Sequence, residues 1–316
     1  MLPPSAKAIS FMTTPLWRNR KFWSIVSQLI AVFVVAIVVA ILWYNLTYNL
    51  QRLGIQLGFD FLRSQASFDI GETPISYQPS DTYSRALLVG LVNSLRVIIV
   101  GTILSTIIGI TVGIARQSDN WLVRQLALVY IETLRNTPLL LQLFFWYFAV
   151  FINLPNVENQ ISLLGLININ NRGIELLGIQ ISPELSTLIL GLTLYTGAFI
   201  AEIIRAGIQS VPKGQLEAAR ALGLKPGLIL RLVVFPLALR LIIPPLTSQY
   251  LNLAKNSSLA IAIGYPDIYF VASTTFNQTG RAVEVMLLIM ATYLTMSLSI
   301  SLVMNLLNNT VQLKER

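Results

Sequence analysis

Six long apolar segments dominate the pattern of hydrophobic and polar positions along the chain. They comprise residues 22–43, 86–115, 126–152, 185–206, 237–264 and 283–307. A helix needs roughly 20 mostly apolar residues to cross a bilayer, and each segment reaches that length. The pattern therefore predicts an all-α polytopic membrane protein with six transmembrane helices. The first segment is uncharged and longer than the apolar core of a signal peptide, which favours an uncleaved span.

The two longer loops on one side of these spans have different patterns. Residues 45–85 mix Gly, Pro, Ser and acidic residues with short apolar pieces, which is typical of an interfacial or partly ordered segment. Residues 153–184 alternate apolar and polar positions, which fits either a short hairpin or a helix lying along the membrane surface. Both alternatives stay open from the sequence alone.

The composition agrees with a membrane protein. Of the 316 residues 54% are apolar and 11% are charged, and the mean hydropathy is +0.68, whereas soluble proteins carry about 25% charged residues. The chain contains no cysteine and no histidine, so it lacks the commonest general base and the usual metal ligands. We therefore expect no enzymatic activity, no catalytic residue, no metal site and no bound cofactor in this chain.

Positive charge is concentrated on one side of the predicted spans. The N-terminal segment has no acidic residue and carries Lys7, Arg18, Arg20 and Lys21. The segments 45–85, 153–184 and 265–282 instead contain more acidic residues than arginines. The positive-inside rule then predicts that both termini are cytoplasmic. The net charge of +8 reflects this orientation, and we predict no nucleic-acid partner.

A short charged stretch between the fourth and fifth spans has a helix–turn–helix pattern. Residues 214–236 read "GQLEAARALGLKPGLILRLVVFP". The first part is rich in good helix formers, and Gly223 lies where a helix C-terminus favours a left-handed residue. A helix this short is unstable alone, so it must dock on another surface. From the local pattern alone, a simple connector between spans is an equal alternative.

This stretch resembles the EAA loop of ABC-importer permeases. The matching residues are Glu217, Ala218, Ala219, Gly223 and Pro236, while Val233 and Phe235 replace the Ile and Leu of that family. The resemblance implies that residues 212–236 form a cytoplasmic coupling loop that docks on an ATPase subunit. The chain has no G-x-x-x-x-G-K-[ST] phosphate loop of its own. ATP and Mg²⁺ would therefore bind the partner ATPase.

Other stretches resemble the polar amino-acid permeases of the histidine/glutamine type. They include "YIETLRNTPLLLQLFFWYF" and "LRLIIPPLTSQYLNLAKNSSLAIAIG", while "LGIQLGFDFL" and "FDIGETPISY" resemble the general L-amino-acid permease branch. The resemblance spans roughly residues 20–312 and implies an N-terminal extra helix before a five-helix type I importer core. It divides the chain into residues 1–85, with the N-terminus, first helix and outer loop, and residues 86–312, the permease domain.

The same resemblance implies a set of partners and a location. We expect a second permease subunit, similar but non-identical or a second copy, two ATPase subunits and an outer solute-binding protein. The expected location is the bacterial inner membrane, in contact with lipid, and the expected cargo is an amino acid. A gradient-driven transporter or channel is the alternative from another class, and a non-amino-acid solute remains open within the ABC reading.

Charged side chains within the spans are candidates for the solute pathway, because charge inside a membrane is costly. The candidates are Glu132, Arg135, Glu202, Arg205, Lys255, Asn256 and Ser257. Each Glu–Arg pair is three residues apart on one helix face, so mutual neutralisation is the structural alternative. Lys255 is expected to pair with a span glutamate or to meet a substrate carboxylate. The role of Arg96 is left open.

Two further features concern the helices themselves. Gly109 and Gly113 form a small-x-x-x-small pattern, which predicts close helix packing. Pro138, Pro236, Pro244 and Pro245 interrupt the hydrogen-bond ladders of helices, and we predict a hinge at Pro244 and Pro245.

Overall fold

The computed structural model describes residues 20–52, 57–163, 166–176 and 178–311. The chain forms two compact units, Met1–Gly58 and Phe59–Arg316. Within the first unit, helix α1 (Arg20–Arg52) is longer than the predicted span, and its apolar side chains are exposed along most of its length. Lys7, Arg18 and the residues after 311 lie outside the described residues.

Nine α-helices follow among the described residues of the second unit. They are α2 (Tyr83–Ala115), α3 (Trp121–Asn136), α4 (Leu139–Phe144), α5 (Pro183–Gln209), α6 (Lys213–Ala221), α7 (Pro226–Ile229), α8 (Phe235–Asn256), α9 (Ile268–Thr279) and α10 (Ala282–Val311). Two π-helical segments extend this set, because Phe145–Val150 continues α4 and Leu230–Val234 joins α7 to α8. The described residues also form four 3-10 helices, at Asp60–Arg63, Phe151–Asn153, Val157–Asn159 and Ser257–Ile263.

Among the described residues, five helices are long and apolar enough to cross a membrane. They are Phe22–Arg52, Tyr83–Ala115, Pro183–Gln209, Gly227–Ile263 and Ala282–Val311. A bent pair, Trp121–Asn136 with Leu139–Asn153, gives a sixth span if it counts as one. The predicted helical membrane fold with six spans is confirmed in that sense.

The third predicted span is not one continuous helix. The chain bends by 106° between the two halves of this span. The bend occurs because Pro138 holds the preceding Thr137 in an extended conformation (φ −103°, ψ 129°). The buried side chain of Gln142 stabilises this break. Its Nε2 donates to the carbonyl oxygens of Leu134 at 2.8 Å and Thr137 at 2.9 Å. The interruption predicted at Pro138 is therefore confirmed, and it bends the span sharply.

Helices α2 and α5 run in the same direction and pack closely. A Cβ atom on Gly113 would lie 2.8 Å from the carbonyl oxygen of Ala201 and 2.8 Å from the Cβ of Ile204. One on Gly109 would collide with Ile200. The predicted packing role of these two glycines is confirmed, and it fixes α2 against α5 with no room for an added methyl group.

The loop over 153–184 forms an antiparallel four-stranded sheet in the order β1-β2-β3-β4. The strands are β1 (Ile161–Leu163), β2 (Ile167–Asn170), β3 (Gly173–Leu176) and β4 (Ile179–Ile181). Of the two alternatives for this loop the hairpin was correct and the surface helix was wrong. Gly173 (φ +106°) follows the β2–β3 turn, where a Cβ would collide with the carbonyl of Ile181.

Two further ordered segments lie at the same end of the bundle. Residues 57–82 pack on the start of α2, with Ala66 fully buried and Tyr77 Oη donating to the carbonyl of Phe68 at 2.7 Å. Helix α9, which the hydropathy pattern did not indicate, begins at the N-cap Asp267 and ends at Gly280 (φ +68°). Together these segments cover the first third of α2.

Candidate functional site

Helix α6 is a nine-residue helix between the spans α5 and α8. Pro212 is its N-cap rather than its first helical residue. Ala219 is only 4% exposed and shares one apolar cluster with Ile204, Val211 and Ile229. Because a helix of this length has little stability alone, this intramolecular packing is what holds α6 in place.

Gly223 ends α6 in a Schellman motif. Its φ is +71°, its N–H donates to the carbonyl of Arg220 at 2.9 Å, and the N–H of Leu224 donates to the carbonyl of Ala219 at 3.2 Å. A Cβ at Gly223 would meet no atom within 4 Å. The glycine is therefore required for its backbone conformation and not for space, as the sequence predicted.

The outward face of α6 carries an exposed set of side chains. Glu217, Ala218 and Arg220 are exposed, and within the described residues neither charged side chain of this face forms an ion pair. Leu222 is 80% exposed, a large exposed fraction for an apolar side chain, and its exposure was not predicted from the sequence. We call Glu217, Ala218, Arg220 and Leu222 the α6 face.

Of the five predicted coupling residues only Glu217 and Ala218 belong to the α6 face, since Gly223 forms the turn that ends the helix. Ala219 points into the chain's own core, because it occupies the side of α6 that faces α5. Pro236 is the second residue of α8, and the residues from Gly227 onwards belong to the long helix that ends at Ile263. The exposed side chains that the α6 face groups together therefore lie on α6 and its C-terminal turn, whereas the role predicted for the loop 212–236 stays a prediction.

The two predicted Glu–Arg pairs behave differently. Glu202 and Arg205 form a two-point ion pair, with Arg205 Nε donating to Glu202 Oε2 at 2.8 Å and Nη2 to Oε1. Glu132 is not paired with Arg135 and instead accepts from Asn136 Nδ2 at 3.1 Å. Mutual neutralisation thus holds for the α5 pair and fails for the α3 pair.

Of these four charged side chains, Arg135 has the fewest polar partners in the described part of the chain. Its guanidinium carbon lies 5.1 Å from the ring centre of Phe199 on α5, a cation–π contact. Its buried Nε has no hydrogen-bond partner in the described part of the chain. Phe199 is three residues before Glu202, so Arg135, Glu202 and Arg205 lie in one region between α3 and α5.

Lys255 lies elsewhere. It is exposed in the last turn of α8. Its carbonyl accepts from Ser258 Oγ at 2.7 Å, but its ammonium group forms no hydrogen bond or ion pair with any described residue. Ile242 packs on Gly207, which is five residues past Glu202 on α5. Lys255 is thirteen residues past Ile242 on α8, and because α5 and α8 run in opposite directions it lies roughly 12 Å along the helix axes from the level of Glu202. The expected pairing of Lys255 with Glu132 or Glu202 is therefore not formed.

The residues after Lys255 serve the helix end. Asn256 is the last residue of α8, and the buried Ser257 donates to the carbonyl of Ala254 at 2.9 Å. Whether Lys255, Asn256 or Ser257 line a solute pathway stays a prediction.

A polar network at the opposite end of the bundle from α6 was not predicted. Arg96 Nη1 lies 3.1 Å from Glu72 Oε2, and the fully buried Asn93 donates to the carbonyls of Glu72 at 2.8 Å and Pro266 at 3.0 Å. These contacts fasten the 57–82 loop and α9 to α2. The sequence singled out Arg96, but its partner lies 24 residues earlier, in a loop.

Asp267 is the buried carboxyl of this network. It caps α9 by accepting from the N–H of Phe270 at 2.8 Å, and Tyr293 Oη donates to it at 3.4 Å. Burial raises the pKa of Asp267 from 3.8 to about 7, and the Phe270 N–H bond partly opposes that shift. Burial also raises the pKa of the neighbouring Tyr265.

Comparison with known proteins identifies the family. Residues 105–313 match the binding-protein-dependent transport system inner membrane component. The chain belongs to this family. It is 40% identical to the putative amino-acid ABC transporter permease protein YhdX of Escherichia coli K12, over 92% of this chain and 94% of YhdX.

Further relatives of this permease extend the match. It is 37% identical to the general L-amino acid transport system permease protein AapQ of Rhizobium johnstonii, over 96% of this chain and 98% of AapQ. A crystal structure of an amino acid ABC transporter with histidines superposes with a TM-score of 0.58 and 28% identity, over 72% of this chain and 95% of that one. The predicted resemblance to the polar amino-acid permeases and their general L-amino-acid branch is confirmed.

These matches cover different parts of the permease. The family segment begins within α2 and includes α3 to α10, hence α6 and both Glu–Arg pairs. Residues before 105 lie outside that segment, but the YhdX match covers so much of the chain that most of them must fall within it. The N-terminal extension is thus a shared feature of such relatives.

Proposed function

We propose that this permease is the membrane-spanning subunit of an ATP-driven importer of amino acids. The support is that YhdX, AapQ and the superposed crystal structure are all described as amino-acid transport proteins. Two of them match more than nine-tenths of this chain. A chain that resembles them from end to end is best explained by the same class of cargo.

The α6 face is the proposed contact with a separate ATPase subunit. The observation that carries this assignment is a short helix which is rigidly held on its inner side and exposed, with unpaired charge and an 80% exposed leucine, on its outer side. Such a surface transmits force only if a partner covers it. ATP and Mg²⁺ would bind that partner, and this chain would hydrolyse nothing itself.

The remaining partners follow from the family, whose description names a binding protein. We propose a complex of this chain with a second permease subunit, two ATPase subunits and an outer solute-binding protein. The chain would lie in a bacterial inner membrane with α6 and both termini in the cytoplasm. The charges of α3 and α5, namely Glu132, Arg135, Glu202 and Arg205, would face the solute, with Lys255, Asn256 and Ser257 further along the path.

Uptake in proteoliposomes tests this proposal. The permease would be reconstituted with its ATPase and binding protein, and ATP-dependent uptake of labelled amino acids measured for wild type, Glu217→Lys and Glu158→Lys. Glu217 lies on the α6 face, whereas Glu158 is an exposed glutamate of the 153–184 loop. We expect Glu217→Lys to abolish uptake and the matched Glu158→Lys to leave ATP coupling intact.

Two results would contradict the proposal. Uptake that continues without the ATPase would indicate a gradient-driven carrier. Uptake that tolerates both substitutions equally would remove α6 as the coupling element.

A further inference from the structure

A polar cleft lies at the end of the bundle opposite to α6. It has a volume of about 400 Å³ and its polar lining consists of Glu72, Thr73, Arg96, Arg172, Gln180 and Ser182. Ser182 is the N-cap of α5, and the 27 residues of that helix separate the cleft from α6 by roughly 40 Å. The volume falls within the range of small-molecule sites, roughly 300–1,000 Å³.

An ion pair and hydrogen bonds fix the side chains at the floor of the cleft. Glu72 and Arg96 form its ion pair at 3.1 Å, with side chains 17% and 37% exposed. Asn93, fully buried beneath them, holds the Glu72 backbone and accepts from Arg96 Nη1 at 3.4 Å. Both signs of charge are therefore fixed at the bottom of the cleft.

The rim carries a cation whose side chain has no partner. Arg172 occupies the β2–β3 turn, and its position is set by Gln180 Nε2, which donates to the Arg172 carbonyl at 2.8 Å. Its guanidinium forms no hydrogen bond or ion pair with any residue in the described ranges. A guanidinium has five N–H donors arranged to match a carboxylate. The Arg172 guanidinium can therefore donate hydrogen bonds to the carboxylate of a ligand.

We propose that this cleft is an entry site that binds the carboxylate and ammonium groups of a free amino acid, with Arg172 holding the carboxylate. The proposal rests on the proposed amino-acid cargo. Arg172 supplies the unpaired cation, and Glu72 supplies an oxygen surface for the ammonium. A protein surface would reach Arg172 at the rim but not the recessed Glu72, so the pairing of both signs favours a small zwitterion.

Binding at this site is expected to be weak. An incoming amino acid competes with the existing Glu72–Arg96 pair, and the cleft is open to solvent on one side. Weak binding suits a position on a transport path, because a solute must leave it as readily as it enters.

The absence of cysteine from the chain allows a direct test. Thr73→Cys places one thiol in the cleft and Ser80→Cys places one on exposed surface outside it. The complete complex in nanodiscs, without binding protein, would be treated with a membrane-impermeant thiol reagent. Labelling of this chain would be followed with and without a mixture of the proteinogenic L-amino acids, or of their α-amides.

We expect the amino acids, but not the α-amides, to slow labelling of Thr73→Cys, and neither to affect Ser80→Cys. Adding Arg172→Gln should weaken this protection about tenfold or more in concentration, the scale of one lost charge-assisted pair. Arg172→Lys should restore part of it. Arg63→Gln, which alters an exposed arginine of the 57–82 loop, should change nothing.

The outcomes separate this site from the proposed function. Equal protection in wild type and Arg172→Gln, or no protection in wild type, overturns the entry site even when ATP-dependent uptake is normal. Loss of binding-protein association in Arg172→Gln with unchanged protection by amino acids overturns it in favour of a protein-docking role. Absence of amino-acid uptake by the wild-type complex in the proteoliposome assay instead rejects the proposed function.

Discussion

Replacing Gly223 by alanine should loosen the C-terminus of α6 through the backbone alone. The residue has φ +71°, and a Cβ there would meet no atom within 4 Å. No clash contributes, so the cost is that of holding an L-residue in the left-handed region, roughly 1–2 kcal/mol. This free energy corresponds to a factor of about 5–30 in the local opening equilibrium.

Gly214 provides a matched control within the same helix. A Cβ at Gly214 also meets nothing within 4 Å, but its φ lies outside the left-handed region. Gly214→Ala should therefore stabilise α6, by up to about 1 kcal/mol. Gly223→Asn should cost less than Gly223→Ala because asparagine tolerates the left-handed region better.

Hydrogen exchange of the α6 amides is the appropriate assay, because the effect is local and exchange reports the opening of individual segments. Exchange over residues 213–224 should become faster in Gly223→Ala and slower in Gly214→Ala, while exchange in α10 stays unchanged. If both alanine variants shift exchange in the same direction, the Schellman motif does not hold the helix end, and the argument from φ is wrong.

Three further predictions concern the frame around the site. Gly113→Leu should destabilise the permease by about 1–3 kcal/mol or more, because the new side chain would enter the space of Ala201. Thermal unfolding in detergent should show this loss of stability, and Ile103→Leu, on the exposed side of α2, should leave stability unchanged. Gln142→Leu should cost about 1–3 kcal/mol by leaving carbonyls at the α3–α4 break without a donor, measured by the same unfolding assay. The pKa of Asp267 is raised to about 7 in the folded chain, so as pH rises the unfolded chain loses this proton at lower pH than the folded chain does. The free energy of unfolding should therefore fall as pH rises from about 4 to 7. Asp267→Asn should remove that part of the pH dependence, and an unchanged profile would contradict the argument.

The sequence was sufficient for features that depend on local pattern. Hydropathy located the spans, the spacing of Gly109 and Gly113 predicted close helix packing without naming the partner helix, and Gly223 marked the end of α6. Each of these signals is contained within one helix or turn. Their physical causes, namely burial in lipid, lack of a Cβ and a left-handed φ, need no knowledge of distant residues.

Features that depend on distant partners were missed or wrong. The Glu72–Arg96 pair joins a loop to a helix, and no local pattern marks it. The pairing expected for Lys255 failed because position along α8, and not charge, decides which residues it can reach. The sequence marked Pro138 as a break in a helix, but apolar residues continue across it, so the sharpness of the bend after α3 was not predicted.

The same reasoning identified the α6 stretch but not which of its side chains face outwards. A helix of nine residues has an inner and an outer side, and only the packing partners decide between them. Ala219 faces inwards because Ile204 and Ile229 lie on that side. Leu222 is exposed because the Schellman turn carries it past the end of this cluster.

The way α6 is attached predicts where the spans can move. Its cluster joins the end of α5 to the start of the α7–α8 helix. Helix α5 packs closely on both α2 and α8, because a Cβ on Gly113 would collide with Ala201 and Ile204, and one on Gly207 would lie 2.3 Å from Cγ1 of Ile242 on α8. We therefore expect α2, α5 and the first part of α8, up to Ile242, to move as one body. Along the other helix, the π-helical segment Leu230–Val234 and the internal prolines interrupt regular hydrogen bonding.

We therefore expect a push on α6 to be absorbed along α8, with Pro244 and Pro245 as its hinge. Replacing both prolines by alanine restores two backbone donors and should stiffen the helix. ATP-dependent uptake should fall while the ATPase still binds, because the coupling surface is unaltered. Unchanged uptake in the double variant would show that α8 moves without bending at these prolines. We would then expect the spans to bend at the α3–α4 break instead, where Pro138 interrupts another span.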